Sequence, residues 1–152
     1  MKRVPMLWVA WFSFALAWVL PVHKEGVTLP EGLPGWQAFR VAAGAVWPYE
    51  GVDYDSWWGG ALGSLSAATN VVMLGSLGAR RRRQAVRRAL GIVALAAFVV
   101  NAQWLFLNTE WVDLRAGYYL WWLSFLAVGC ALFRAAVAAP AASLRGAAQQ
   151  GG

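Results

Sequence analysis

The stretch Tyr49-Glu50-Gly51-Val52-Asp53-Tyr54-Asp55-Ser56-Trp57-Trp58 sets three carboxylates among aromatic rings. Carboxylates beside rings are the chemistry of a calcium site, a cationic ligand or a sugar. Asp53 and Asp55 have the first spacing of an EF-hand loop, but the glycine and the terminal glutamate required at fixed offsets are missing. The plainer expectation is a solvated acidic loop anchored by Trp57 and Trp58. His23 is the single histidine, which excludes a haem held between two histidines of one chain. Cys130 is the single cysteine, which excludes an internal disulfide, a CxxC redox pair and a cysteine metal cluster. Its expected role is a small apolar helix side chain. The chain has no glycine-rich phosphate loop, no metal-ligand spacing, no nucleophile elbow and no histidine near a candidate serine or cysteine. No catalytic, cofactor-binding or metal-ligating residue is therefore assigned, no cofactor is expected, and a non-enzymatic role is favoured.

A second set of chemically capable residues lies inside apolar runs: Asn70, Asn101 and Gln103, with Ser13, Ser64, Ser66, Thr69 and Ser124. Amides surrounded by apolar residues need partners. Counted inward from the run boundaries, Ser64, Ser66, Asn101 and Ser124 share one depth, and Ser13, Asn70 and Cys130 share a deeper one. Function inside a membrane is usually carried by Asp, Glu, Lys, Arg or His, and none lies centrally here. Interhelical hydrogen bonding is thus the expected role, with a ligand or ion path as the functional alternative.

The elements that must hold these residues are apolar helices. Of 152 residues, 60% are hydrophobic and 13% charged, against about 25% charged in soluble proteins. Mean hydropathy is +0.49. So short a chain cannot hide that much apolar surface in water, and lipid is the natural solvent for it. The fold class expected is all-α, an integral membrane four-helix bundle with a structured outer loop between helices 1 and 2. Spans fall at about 4–22, 59–78, 89–107 and 118–137, forming one domain over 1–140, with the outer loop at 23–58 and a flexible tail at 141–152 after Pro140. Lys2-Arg3, the apolar run and Ala15-Leu16-Ala17 imitate a cleaved signal peptide, but the run continues through Trp18, Val19 and Leu20, which favours a retained span.

Charge orients the spans. All seven acidic residues fall in the two segments joining spans one to two and three to four. Ten of the thirteen basic residues lie on the opposite side, among them Arg80, Arg81, Arg82, Arg83, Arg87 and Arg88. The positive-inside rule makes that side, and both termini, cytoplasmic. The arginine cluster is read as topogenic, compatible with lipid headgroup binding. Basic residues at the ends of apolar runs are no nucleic-acid footprint, and no nucleic-acid partner is expected.

The segment 23–58 is too long for a plain connection and should carry structure of its own. After the breakers Pro30 and Pro34, residues Trp36, Phe39, Ala43, Val46 and Trp47 follow three-to-four spacing, as in a short interfacial helix. Trp36, Trp47, Asp53, Asp55, Trp57 and Trp58 are the candidate contacts of this loop. In span two, Gly59, Gly63 and Ala67 form a small-residue stripe suited to close helix packing. In span one, Trp8, Trp11, Ala15 and Trp18 share a face, where packing is expected over a cofactor cradle.

Leu33-Pro34-Gly35-Trp36-Gln37-Ala38-Phe39, Asn70 within span two, and Gly117-Tyr118-Tyr119-Leu120-Trp121-Trp122-Leu123-Ser124 opening span four together resemble a group of small bacterial four-helix inner-membrane proteins of uncharacterised function. The resemblance implies a tetraspan architecture in a bacterial inner membrane and no reaction or catalytic residue. A long first and short second outer loop is also similar to claudins, whose cysteine pair is absent here. The leading functional expectation is a non-catalytic accessory or structural subunit of a membrane complex or homo-oligomer, with lipids and another membrane subunit as partners. The alternatives are a module that binds or transports a small apolar or lipid ligand, and an enzyme using Asp53, Asp55 and Asp113 on a lipid or cell-wall substrate.

Overall fold

The computed structural model describes residues 6–25, 29–48, 56–107 and 114–150. Its helices are α1 (Met6–Ala17), α2 (Gly35–Ala42), α3 (Trp57–Leu77), α4 (Gln84–Asn101), α5 (Trp104–Leu107) and α6 (Ala116–Gln150). A two-stranded antiparallel ribbon, β1 (Pro21–Glu25) and β2 (Leu29–Pro34), lies between α1 and α2. The chain is thus mainly helical, as expected. Three stretches, Trp57–Leu77, Gln84–Phe106 and Ala116–Ala135, are long and apolar enough to cross a membrane.

The first apolar run departs from expectation. Its helix ends at Ala17 after 12 residues, not near Val22. Pro21 accounts for this: its ring would clash with the carbonyl of Ala17, four residues back, and it biases Leu20 toward extended backbone. The twelve described residues of this helix span about 18 Å at 1.5 Å each. The ribbon that follows is the second departure. Pro-Val-His-Lys-Glu shows no clean alternation, and β2 holds two prolines, so neither strand declares itself in composition. Pairing sets His23 opposite Leu33, and a further bridge joins His23 to Leu114 just before α6.

The short helix expected after Pro34 is present as α2, with Pro34 extended at its N-cap. Phe39 packs on Trp18, with ring centroids 5.2 Å apart, and Ala43 is buried, while Trp36, Val46 and Trp47 stay exposed. The helix therefore packs on the bundle through Phe39. At the far end of the chain α6 continues through Pro140 to Gln150, where a flexible tail from residue 141 was expected. A proline removes one helical hydrogen bond, and the alanine-rich flanks carry high helix propensity.

Helix α6 is the central element, with α4 and α1 packed against it; α3 packs mainly on α4 and α2. Phe125, Met73 and Val128 are fully buried between them. Phe14 and Trp121 meet Phe125 edge to face at 6.4 and 5.3 Å. Helices α4 and α6 approach closely at Gly91 and Gly129. A Cβ at Gly91 would stand 3.2 Å from the Phe133 backbone nitrogen and 3.3 Å from the Gly129 carbonyl oxygen. On α3, Gly63 and Ala67 of the expected stripe are buried and Gly59 is half-buried.

Candidate functional site

The polar groups are placed by four helices, α3, α4, α5 and α6. Ser66 Oγ donates to Asn101 Oδ1 at 2.8 Å, and Asn101 Nδ2 donates to Thr69 Oγ1 at 3.0 Å. Thr69 Oγ1 in turn donates to the Ser66 carbonyl at 2.6 Å. From α5, the Trp104 indole N–H donates to Ser66 Oγ at 3.0 Å, and from α6 the Tyr118 hydroxyl donates to the Asn101 carbonyl at 2.8 Å. That carbonyl is at the C-terminal end of α4, where helical acceptors lack partners. Asn101 is fully buried. With both amide groups and its carbonyl engaged, it ties α3, α4 and α6 together.

Two residues of the expected layer are brought together. Ser66 and Asn101 meet, but Ser124 Oγ donates to the Trp121 carbonyl of its own helix, and Ser64 Oγ is buried with no hydrogen-bond partner among the described residues. Ser64 and Ser66 lie two positions apart on one helix and so cannot face the same neighbour. The deeper layer does not form: among the described residues no hydrogen bond joins Ser13, Asn70 and Cys130. Asn70 instead accepts from the Trp121 indole N–H at 2.9 Å and donates from Nδ2 to the Ala67 carbonyl at 2.9 Å. Gln103 Nε2 donates to the Leu62 carbonyl at 3.3 Å.

What sequence reasoning missed is the tryptophan contribution. Trp11, Trp104, Trp121 and Trp122 each donate an indole N–H across the bundle, to Ser76, Ser66, Asn70 and the Phe98 carbonyl. The available signal was tryptophan inside a span that also holds amides and hydroxyls, since a buried indole needs an acceptor. Of the tryptophans expected on one face of α1, Trp11 and Trp18 pack on the core, and Trp8 is exposed.

Above this network lies a cavity of about 390 Å³. Its roof is the ribbon and α2, through His23, Leu33 and Phe39; one wall is the end of α1 at Ala17 and Trp18. Its floor is Ser66, Ala67 and Asn70 on α3, with Trp104, Tyr118 and Trp121 closing the far side. Two glycines seat the roof on the helices. A Cβ at Gly117 would come within 2.6 Å of the Pro21 carbonyl oxygen, and one at Gly35 would collide with the Ala17 carbonyl. The Gly35 N–H donates to the Leu20 carbonyl at 3.1 Å and the Arg115 N–H to the Val22 carbonyl at 3.0 Å. The volume lies in the range of about 300–1,000 Å³ that small-molecule sites occupy, and the walls are mostly aromatic and aliphatic with few polar groups. Its size and lining suit an apolar molecule.

The remaining candidate residues lie elsewhere. Trp57 and Trp58 stack at 3.8 Å at the start of α3 and are 70% and 60% exposed. Trp47 is capped by the Arg40 guanidinium, 3.7 Å from its ring centroid. Arg81, Arg82, Arg83 and Arg88 are exposed at the turn between α3 and α4, and Arg87 is half-buried there. Asp53, Asp55 and Asp113 lie outside the described residues. Comparison of the chain with family models, curated proteins and solved structures finds no match.

Proposed function

We propose that this chain is a multi-pass membrane protein of a bacterial inner membrane whose cavity holds a small apolar or lipid molecule without chemically changing it. The carrying observation is the cavity of about 390 Å³ beneath the ribbon, with its aromatic walls and its few polar groups. Three helices of membrane-crossing length support the membrane setting. The charge segregation supports cytoplasmic termini, which would put the cavity toward the outer leaflet. Native mass spectrometry of protein gently released from micelles tests the reading. A bound mass is expected on the wild-type chain and is lost in Ala38→Trp, which fills the cavity from α2. A wild-type spectrum with no bound mass would sink it.

A second reading, an accessory or structural subunit, is favoured by the exposed Trp57–Trp58 pair and by Leu65, Val71 and Leu74 facing outward from α3. The same spectrum addresses it. A second copy or a stoichiometric partner supports this reading, and a monomer in every gentle detergent opposes it.

A further inference from the structure

We propose that the arginine-rich end of the bundle holds the phosphate of an anionic phospholipid, with an acyl chain of the same lipid lying in an apolar notch between α1 and α3. This site shares no lining residue with the cavity. It rests on the membrane setting proposed above and on nothing the cavity binds.

The fold gathers more positive charge here than the run of arginines along the chain supplies. Arg81, Arg82 and Arg83 are exposed in the turn after α3, and Arg87 and Arg88 follow on α4. The Tyr118 hydroxyl near the start of α6 meets the Asn101 carbonyl at the end of α4, so the two helices run antiparallel. Gly91 is level with Phe133, whose backbone nitrogen would stand 3.2 Å from a Cβ at that glycine. Arg134, the next residue of α6 and exposed, therefore stands within about one helical turn in height of Arg87 and Arg88.

The chain's own carboxylates are far from this end. All seven acidic residues lie at positions 25–55 and 110–113, in segments joined to the opposite ends of α3 and α6. Helix α4 alone has 18 residues, about 27 Å, which exceeds a physiological Debye length of about 8 Å. Arg87 is half-buried, and its Nε is buried with no hydrogen-bond partner among the described residues. Such a concentration of guanidinium groups attracts an oxyanion, and the arginine fork matches the paired oxygens of a phosphate.

The adjoining surface selects a lipid among phosphate carriers. Leu77, the last residue of α3, lies directly before the arginine turn and lines a notch of about 40 Å³ with Leu7, Trp8 and Trp11 of α1. The Trp11 indole, donating to Ser76 Oγ at 3.1 Å, ties α1 to α3 at this level. Trp8 is 61% and Leu77 55% exposed. A free phosphate or a nucleic acid backbone has nothing apolar to place there, whereas a phospholipid carries its phosphate and its hydrocarbon in one molecule. Arginines bordering apolar and tryptophan-rich helix ends are the pattern of a membrane–water boundary.

Native mass spectrometry of the detergent-purified full chain, titrated with dimyristoyl phosphatidylglycerol and separately with dimyristoyl phosphatidylcholine, tests this. The two probes share their chains and their phosphate and differ in net charge. The phosphatidylglycerol is expected to bind roughly tenfold more tightly. Arg82→Gln together with Arg83→Gln is expected to reduce that preference to about threefold or less, whereas Lys24→Gln together with Arg115→Gln, an equal change of charge at the opposite end, leaves it as in wild type. Trp8→Ala is expected to weaken both lipids about threefold by removing a wall of the notch. Equal affinity for the two lipids, or an equal loss in the two double variants, overturns the phosphate site, and an unchanged Trp8→Ala overturns the place given to the acyl chain. Displacement of the phosphatidylglycerol by equimolar glycerol 3-phosphate or by an oligodeoxythymidylate overturns the choice of a lipid. Flotation with phosphatidylcholine vesicles separates the two levels of failure: a chain that floats but shows no lipid preference loses this proposal alone, and one that does not float loses the membrane setting as well.

Discussion

At the scale of single residues the bundle is specified by donors and acceptors that have nowhere else to go. Asn101 accepts from Ser66, donates to Thr69 and offers its carbonyl to Tyr118 while fully buried. In a membrane each interhelical bond contributes about 0.6 kcal/mol on average. Asn101→Leu removes two side-chain bonds and leaves the Ser66 hydroxyl hydrogen without its acceptor, so a loss of about 1–2 kcal/mol is expected, read as a lower melting temperature in detergent. Ser124→Ala removes only a bond within its own helix and is expected to change stability by less than about 0.5 kcal/mol. A Ser124→Ala loss as large as that of Asn101→Leu would mean that Ser124 serves a neighbouring helix after all.

At the scale of elements the decisive contacts are backbone approaches rather than large side chains. Gly91 faces the Phe133 nitrogen and the Gly129 oxygen, main-chain atoms that cannot rotate away. Gly91→Leu is expected to destabilise by about 1–3 kcal/mol through overpacking. Its neighbour Ile92 is 52% exposed, and Ile92→Leu is expected to melt as wild type does. Melting curves of the two variants side by side check this, and equal tolerance would mean that α4 and α6 do not approach at this point. Gly117 plays the same part for the ribbon, which it lets rest on the start of α6. Gly117→Val is expected to loosen the ribbon and α2 while leaving α4 and α6 paired. Hydrogen–deuterium exchange is the measurement: faster exchange at the Gly35 and Arg115 amides, with Ala94 and Phe125 unchanged.

At the scale of the whole molecule two ends can be told apart. Trp11 on α1 reaches Ser76 near the end of α3, so the start of α1 lies by the arginine-rich turn, while the ribbon, Leu114 and the start of α3 gather at the opposite end. With Cys130 replaced by alanine, a cysteine at Ser56 is expected to react with an impermeant maleimide in intact cells, and one at Gln84 only after lysis. Labelling of Gln84 alone in intact cells would reverse the orientation.

Apolar runs and their flanking charges were readable in the linear chain because they depend on composition over stretches of twenty residues. The three long apolar helices, the short α2 after Pro34 and the placement of Asn70 and Asn101 in apolar helices follow from that alone. The stop at Ala17 was written locally in Pro21 but was masked by the hydropathy that runs past it. The partners of the polar residues were not readable. Helical position gives a residue's depth but leaves open which way it faces and which rotamer it adopts, so Ser66 rather than Ser64 meets Asn101, and Asn70 pairs with Trp121 rather than Ser13. The ribbon and the cavity depend on contacts between segments nearly a hundred residues apart, such as Pro21 against Gly117. Only tertiary packing decides those contacts, because each segment's own pattern is compatible with many neighbours.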